Sequence, residues 1–304
     1  MHFPVLLKET IEYLSPKPNQ NFIDCTIGNG GHSLAILKET SPNGRLLGID
    51  LSSEAIEATK LKIENEKLKK ERVILVNDNF VNLKKIVKKY NFQPVHGILL
   101  DLGLSTNLLE ISGKGFSFQK NEFLDMRYGR EGKTAAEIIN QSSQEYLEKI
   151  FKEYGEERFS SFIARQIVEV RRKKKIKKTG ELSQVIIEAI KNKIHPKFRI
   201  KTLARIFQAI RIVVNDELEN LKKALPQALE ILLPGGRIVI ISYHSLEDRI
   251  VKNFFREKGK EKKLKILNKK PIIPTREEIK INPRSRSAKL RAAEKLETGL
   301  KIEN

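Results

Sequence analysis

The sequence predicts an α/β fold: a doubly wound, mostly parallel sheet interrupted by an all-helical insert. Three observations carry this. Four short apolar segments alternate with helix-patterned stretches between Asn21 and Leu100, the rhythm of βαβ units. A further segment of the same kind, Arg237–Ser242 (RIVIIS), comes only far downstream, after the turn signal Pro234-Gly235-Gly236. Between them lie helical patterns without a Gly/Ser/Pro-rich linker, which favours an insert over a separate tethered domain. A chain of 304 residues suits one large domain carrying an insert.

Taken in order, the strands are predicted at Asn21–Thr26, Arg45–Asp50, Arg72–Val76 and Val95–Leu100. Ser52–Leu68 supplies a crossover helix through Ala55, Ile56 and Ile63. Ser142-Ser143-Gln144-Glu145 is a capping-box signal ahead of Tyr146, Leu147, Ile150, Phe151 and Tyr154, which share one helix face. Further helices carry Phe159, Phe162, Ile163, Ile167 and Val170, then Leu182, Val185, Ile186 and Ile190, then Leu203 through Val214 with an extension toward Leu218. The expected boundaries are a first core segment at 1–104, the insert at 105–210 and a second core segment at 211–304. In the tail, a helix is expected at Leu246–Phe255, with short apolar segments at Leu264–Leu267 and Ser287–Leu296.

Composition narrows the function. No apolar run is long enough to span a membrane, and the N-terminus lacks the pattern of a signal peptide, so a cytoplasmic location is expected. The one cysteine, Cys25, sits in an apolar run and reads as a buried small residue. The formal charge of +20 favours a polyanionic partner, since neutralising phosphates releases condensed counterions. The excess collects in RRKKKIKK (171–178), in Arg256 to Lys265 and in NPRSRSAKLR (282–291). Each run alone could be a solvated face; together they favour nucleic acid.

The first strand runs into FIDCTIGNGGHS, with Asp24 ahead of glycines 28, 30 and 31. Those glycines permit a sharp bend and close approach of a ligand. The spacing is not the G-x-G-x-x-G of dinucleotide binders, because Ser33 holds the third position. Asp24 would repel a pyrophosphate and suit the ammonium of a methionine moiety, which favours S-adenosylmethionine over NAD. The second strand ends in Asp50, where a carboxylate can accept both ribose hydroxyls. Phe80, in Asn77-Asp78-Asn79-Phe80, stands where an adenine would lie, with core packing as its alternative. The fourth strand ends in Asp101, which either points into the same crevice or caps a turn.

These motifs together resemble the RsmH (MraW) family of bacterial small-subunit rRNA cytosine-N4 methyltransferases. The matching segments are HFPVLL (2–7), DCTIGNGGHS (24–33), LDLGLS (100–105), GFSF (115–118), LDMR (124–127), YGEERF (154–159), FQAIRIVVNDEL (207–218), PGGRIVIISYHSLEDRIVK (234–252) and NPRSRSAKLR (282–291). The resemblance implies a Rossmann-like class I methyltransferase core, with cofactor contacts from Gly30, Gly31, His32, Asp50, Phe80 and Asp101. It implies methylation of a 16S rRNA cytidine in the small ribosomal subunit; no metal site is expected, since Cys25 has no second thiol beside it, and a homodimer is possible. Three positions depart from the family pattern. Leu108 stands where a glutamine is usual, Lys201-Thr202-Leu203-Ala204 replaces His-Pro-Ala-Thr, and Tyr128 ends the LDMRM pattern.

Methylating an exocyclic amine requires positioning a weak nucleophile and removing a proton. The expected arrangement has Asp101 accepting a hydrogen bond from the amine or orienting the cofactor, with Ser105 and His244 as partners. His244 could equally be a structural cap or a base-stacking residue. Phe116, Phe118, Arg127 and Tyr128 are candidates to receive an unstacked base, against simple packing for the phenylalanines. The competing readings are a non-catalytic RNA-binding assembly factor, a methyltransferase acting on DNA or protein, and a nicotinamide oxidoreductase.

Overall fold

The computed structural model describes residues 4–66, 68–104 and 112–297. Ser105 and Leu108 lie outside the described residues. The chain divides into two compact units, one of Met1–Gly103 with Leu218–Asn304 and one of Leu104–Glu217.

The first unit contains β1 (Phe22–Asp24), β2 (Leu46–Asp50), β3 (Val73–Asn77), β4 (Val95–Asp101), β5 (Leu232–Ser242), β6 (Leu264–Ile266) and β7 (Lys289–Lys295). They form one sheet in the order β3-β2-β1-β4-β5-β7-β6. β1 to β5 run parallel, and β7 pairs antiparallel with both β5 and β6. This is the predicted doubly wound, mostly parallel sheet. Its helices are α1 (Leu7–Leu14), α2 (Gly31–Glu39), α3 (Ser53–Asn65), α4 (Leu83–Lys89), α10 (Glu217–Ile231), α11 (Ser245–Lys260) and α12 (Arg276–Ile281).

Strand residues alternate between two cores. Ile23, Leu47, Ile98, Leu100 and Ile240 pack under α4, α10 and α11. Phe22, Leu46, Leu99, Val239 and Ile241 pack under α1 and α2. Both faces are therefore covered, which is why these strands read as continuous apolar runs instead of polar/apolar alternation. The winding reverses between β1 and β4, and such a switch point leaves a crevice at the carboxyl ends of the strands.

β5 starts earlier than the sequence pattern suggests. Leu232 pairs with Val95 and Arg237 with Gly97, so the Pro-Gly-Gly segment is accommodated at a register shift inside the strand instead of preceding it. The basic segment at the tail is also ordered: Arg291 is 7% exposed on β7 and its guanidinium donates to Asp248 at 2.6 Å. Cys25 is buried. Among the described residues no helix is long and apolar enough to cross a membrane.

The second unit holds α5 (Ala135–Gln141), α6 (Gln144–Glu153), α7 (Ser160–Lys173), α8 (Thr179–Ile190) and α9 (Pro196–Asn215). Leu147, Phe151, Ile163, Ile167, Ile186 and Phe207 are among the side chains that meet in its core. Ser143 caps α6 by accepting from the Tyr146 N–H at 3.2 Å; the cap falls one residue after Ser142, so Tyr146 and not Glu145 holds the third position and the predicted reciprocal capping box does not form. α9 runs unbroken through residue 210 and stops at Asp216, whose φ of 50° is left-handed. The helix therefore does not extend to Leu218; a new one begins at Glu217.

Gly97 on central β4 lies opposite Phe22 of β1, and a Cβ there would sit 2.3 Å from the buried Phe22 ring. Gly97→Ala is therefore expected to destabilise the protein by about 1–3 kcal/mol, read as a lower denaturation midpoint in urea. An unchanged midpoint would show that the ring can give way.

Candidate functional site

The loop from Thr26 to Gly31 and the acids that end β2 and β4 stand at the switch point, with the acid that ends β1 buried beneath the loop. The loop begins after Asp24, bends with left-handed backbone at Gly28 (φ 49°) and Gly30 (φ 72°), and enters α2 at Gly31. Only glycine takes up such angles without strain. The loop is also tightly packed: a Cβ at Gly30 would meet Thr59 at 2.8 Å, and one at Gly31 would meet Pro4 at 2.4 Å. Thr59 donates to the Gly28 carbonyl at 3.1 Å, so α3 braces the loop from below.

Asp50 holds the bend. Its carboxylate accepts from the Gly28 N–H and the Ser52 N–H, both at 2.9 Å, one on each oxygen. Burial raises its pKa above the ordinary carboxylate value, and the backbone donors, led by Ser52, oppose that rise. The β3 end is tied to the same place, since Asn77 Nδ2 and the Asp78 N–H both donate to the Asp50 carbonyl.

Asp24 has a role the sequence did not reveal. It is 1% exposed beneath the loop, accepting from the Ser33 hydroxyl at 2.6 Å and the Thr26 N–H at 3.2 Å. Burial pushes its pKa up to about 6, against the Ser33 hydrogen bond and the nearby His32.

Asp101 ends β4, its side chain 21% exposed. Its backbone N–H donates to Thr26 Oγ1 at 2.6 Å, and its carboxylate accepts from the Gly103 N–H at 3.3 Å. His32 lies against it, Nδ1 to Oδ2 at 3.7 Å. Because the other nitrogen, Nε2, faces the Val5 carbonyl at 3.0 Å and a carbonyl only accepts, Nε2 carries a proton. Tyr243, which sequence reasoning missed, hydrogen-bonds Asp101, and its hydroxyl is pushed well above the usual phenol value by burial and then by that carboxylate. Gly103 makes room: a Cβ there would sit 2.7 Å from the tyrosine ring. The glycine in LDLG was the available signal.

His244 stands at the N-cap of α11, Nδ1 accepting from the Glu247 N–H at 3.4 Å and Nε2 3.2 Å from Glu247 Oε1. The capping geometry is thus realised. Phe80 opens a short 3-10 turn (Phe80–Asn82) and packs, partly buried, against the core beneath α4.

In the second unit the aromatic candidates are packed. Phe116 is buried and stacked on Tyr128 at 5.6 Å, and Phe118 meets Phe207 edge-on at 5.6 Å. Arg127 is clamped by Asp125 and by the carbonyls of Arg130 and Gly132. The basic runs are partly internal too. Arg171 braces the Ile139 and Ser142 carbonyls, and Lys258 pairs with Glu257 and Glu261.

The donor set fits S-adenosylmethionine. Asp50 and Asp101 end β2 and β4, and the loop from Thr26 to Gly31 contains no cation, which suits a positively charged ligand bearing a diol and not a pyrophosphate; Asp24, buried beneath the loop, is not placed to meet the ligand's ammonium as the sequence suggests.

A family profile described as the MraW methylase family matches residues 1–296. The chain is 46% identical to a "Ribosomal RNA small subunit methyltransferase H" of Dehalococcoides mccartyi, over 97% of this chain and 86% of that protein. Proteins of the same name are 45% identical in Carboxydothermus hydrogenoformans, over 97% and 98% of the two chains, and in Clostridium botulinum, over 97% and 99%.

The raised pKa of Asp24 makes stability depend on pH. Its folded value, about 6, exceeds the ordinary 3.8, so the folded state binds the proton more tightly. Stability is full below about pH 4 and is lost as pH rises through about 6. Asp24→Asn can keep both hydrogen bonds without the charge. Its stability should therefore gain on wild type as pH rises across that window, by an amount on the order of 3 kcal/mol, read as a widening difference in melting temperature between the two proteins. Parallel pH profiles for the two proteins would place the titration elsewhere.

Proposed function

The chain belongs to the MraW methylase family, and from that membership we propose its reaction in full. It is an S-adenosylmethionine-dependent methyltransferase of 16S ribosomal RNA, and the acceptor is the N4 amino group of a specific cytidine, presented in the small ribosomal subunit. The observation supporting this chemistry is the pair of strand-end carboxylates, Asp50 and Asp101, flanking a braced glycine loop at the switch point.

S-adenosylmethionine supplies an activated methyl group, so the protein's work is positioning and proton handling. Asp50 would take the ribose hydroxyls. Its oxygens already accept from the Gly28 and Ser52 N–H groups, with the Leu51 N–H also directed at them, and the carboxylate's roughly four lone-pair sites leave room for a hydroxyl donor. Gly30 and Gly31 would bring backbone close to the ligand, and Phe80 would border the adenine. Asp101 would accept a hydrogen bond from the cytidine amine and receive the proton it loses. His32 and Tyr243 set the orientation of that carboxylate. Ser105 is a second candidate partner for the amine. His244 is the weaker one, because its Nδ1 is engaged in capping α11.

The direct test is methyl transfer from labelled S-adenosylmethionine to small subunits from cells lacking the enzyme, with naked rRNA and DNA in parallel and nucleosides read by mass spectrometry. N4-methylcytidine is the expected product. Cofactor binding without transfer to any of these would replace this reading with a non-catalytic assembly factor. At saturating cofactor, Asp101→Asn should lower kcat by about 10²–10⁴-fold. Tyr243→Phe should lower it about tenfold, as expected for losing a hydrogen bond to a charged group, with little change in KM for the cofactor. Full activity in Asp101→Asn would sink the acceptor role.

A further inference from the structure

One strongly cationic stretch is absent from the three basic runs of the sequence. From Ala189 to Asn215 there is no Asp or Glu, against seven Lys and Arg. Four of the seven are tied down: Lys191 to Glu188, Arg199 to the Lys191 carbonyl, Arg205 to Glu157 and Arg211 to Glu217. Lys193, Lys197 and Lys201 are exposed and have no carboxylate partner among the described residues.

These three lysines stand over aromatic rings that are themselves in solvent. Lys193 Nζ lies 3.6 Å from the Phe162 ring centre, and Lys197 and Lys201 lie 4.9 and 5.8 Å from that of Phe198. Phe162 and Phe198 are each 41% exposed, and neighbouring Ile200 is 62% exposed. The first turns of α9 therefore overhang the core, which α9 joins only from Thr202 onward.

The overhang is electrostatically unfavourable as it stands. A helix N-terminus carries partial positive charge and favours acids. α5, α6 and α8 each have a Glu in the first turn, whereas α7 and α9 have none, and of these two only α9 has basic residues there. Lys197 and Lys201 also form a like-charge pair one turn apart, which disfavours the helix. Cations gathered at a positive helix end, beside exposed rings, match the requirements of a single-stranded nucleic acid: phosphates for the charges and unpaired bases for the rings.

We propose that the overhang of α9, together with Phe162 of α7, is a docking site for a single-stranded stretch of the RNA substrate. Lys193, Lys197 and Lys201 bind backbone phosphates, while Phe162 and Phe198 receive unpaired bases. The proposal rests on the RNA-methyltransferase reading above and narrows it to one surface of the insert.

The test uses the full-length protein, a fluorescent unstructured RNA oligonucleotide, and phosphatidylglycerol vesicles as a second polyanionic probe. The triple variant K193Q/K197Q/K201Q should bind the RNA at least about tenfold more weakly at physiological salt. Its log K against log salt should flatten by about 2, the value for three lost phosphate contacts on a single strand. F162A/F198A should lose about tenfold in affinity with the salt slope kept. Lys197→Glu should bind RNA more weakly yet melt about 1 °C higher than wild type, because an acid suits that helix end. Cofactor affinity, measured alongside, should be unchanged in all of them.

Wild-type RNA affinity and slope in the triple and double variants would overturn the proposal. So would loss of vesicle binding with RNA binding intact. Methyl transfer by the wild-type protein is scored separately. Weakened RNA binding in the variants with no wild-type turnover would retire the enzyme reading and keep the docking site; turnover with unchanged RNA affinity would retire only the docking site.

Discussion

Two acids at adjacent strand ends hold the glycine loop, and the crevice depends on them. Asp50 clamps the Gly28 N–H from the side of β2, and Asp24 clamps Ser33 and Thr26 from the end of β1. A loop with left-handed turns at Gly28 and Gly30 has few backbone partners of its own, and unpaired polar groups near a core are costly. The carboxylates satisfy them, while Thr59 and Pro4 fill the space where side chains would otherwise project. Both acids thus shape the loop, and Asp50 in addition ends its strand at the crevice. Asp24 braces the loop at the expense of a carboxylate whose ionisation is opposed by burial.

The other wall is built by a second set of close contacts. Asp101 is fixed through its own N–H to Thr26 and through its carboxylate to Gly103, with Tyr243 and His32 beside it. Tyr243 follows β5, which lies next to β4, so one pair of parallel strands delivers both the acid and the tyrosine that orients it. The C-terminal strand β7 closes the other side of β5, and Arg291 locks it to α11 through Asp248. Part of the positive charge therefore serves the fold.

The parallel sheet was legible because its strands are buried on both faces and so appear as short uniform apolar runs, as in Ile23, Leu47 and Ile98. The site acids were legible because each ends such a run. Less visible were features created by tertiary packing. The start of β5 lies before a Pro-Gly-Gly segment that reads as a turn, and only pairing with β4 carries the strand across it. The first turns of α9 bury little apolar surface, so the helical period there is weak and the pattern emerges only near Leu203. Asp24 was legible as an acid before a glycine loop, but not as the buried brace of that loop. Its partners Ser33 and Thr26 become a cage only once α2 folds back. Tyr243 was passed over for its neighbour His244, since a cap and a site residue look alike in a string of letters. For Phe116 and Phe118, packing prevails over base recognition.

On this reading, S-adenosylmethionine binding in the braced crevice depends on the strand-end acids. Calorimetric titration of the wild-type chain with S-adenosylmethionine and with NAD, and of Asp50→Asn with S-adenosylmethionine, tests it most directly. Saturable binding of S-adenosylmethionine, none of NAD, and a loss of roughly 10- to 100-fold in the variant, the worth of hydrogen bonds to a charged group, are expected. NAD binding by the wild type, or undiminished affinity in Asp50→Asn, would contradict it.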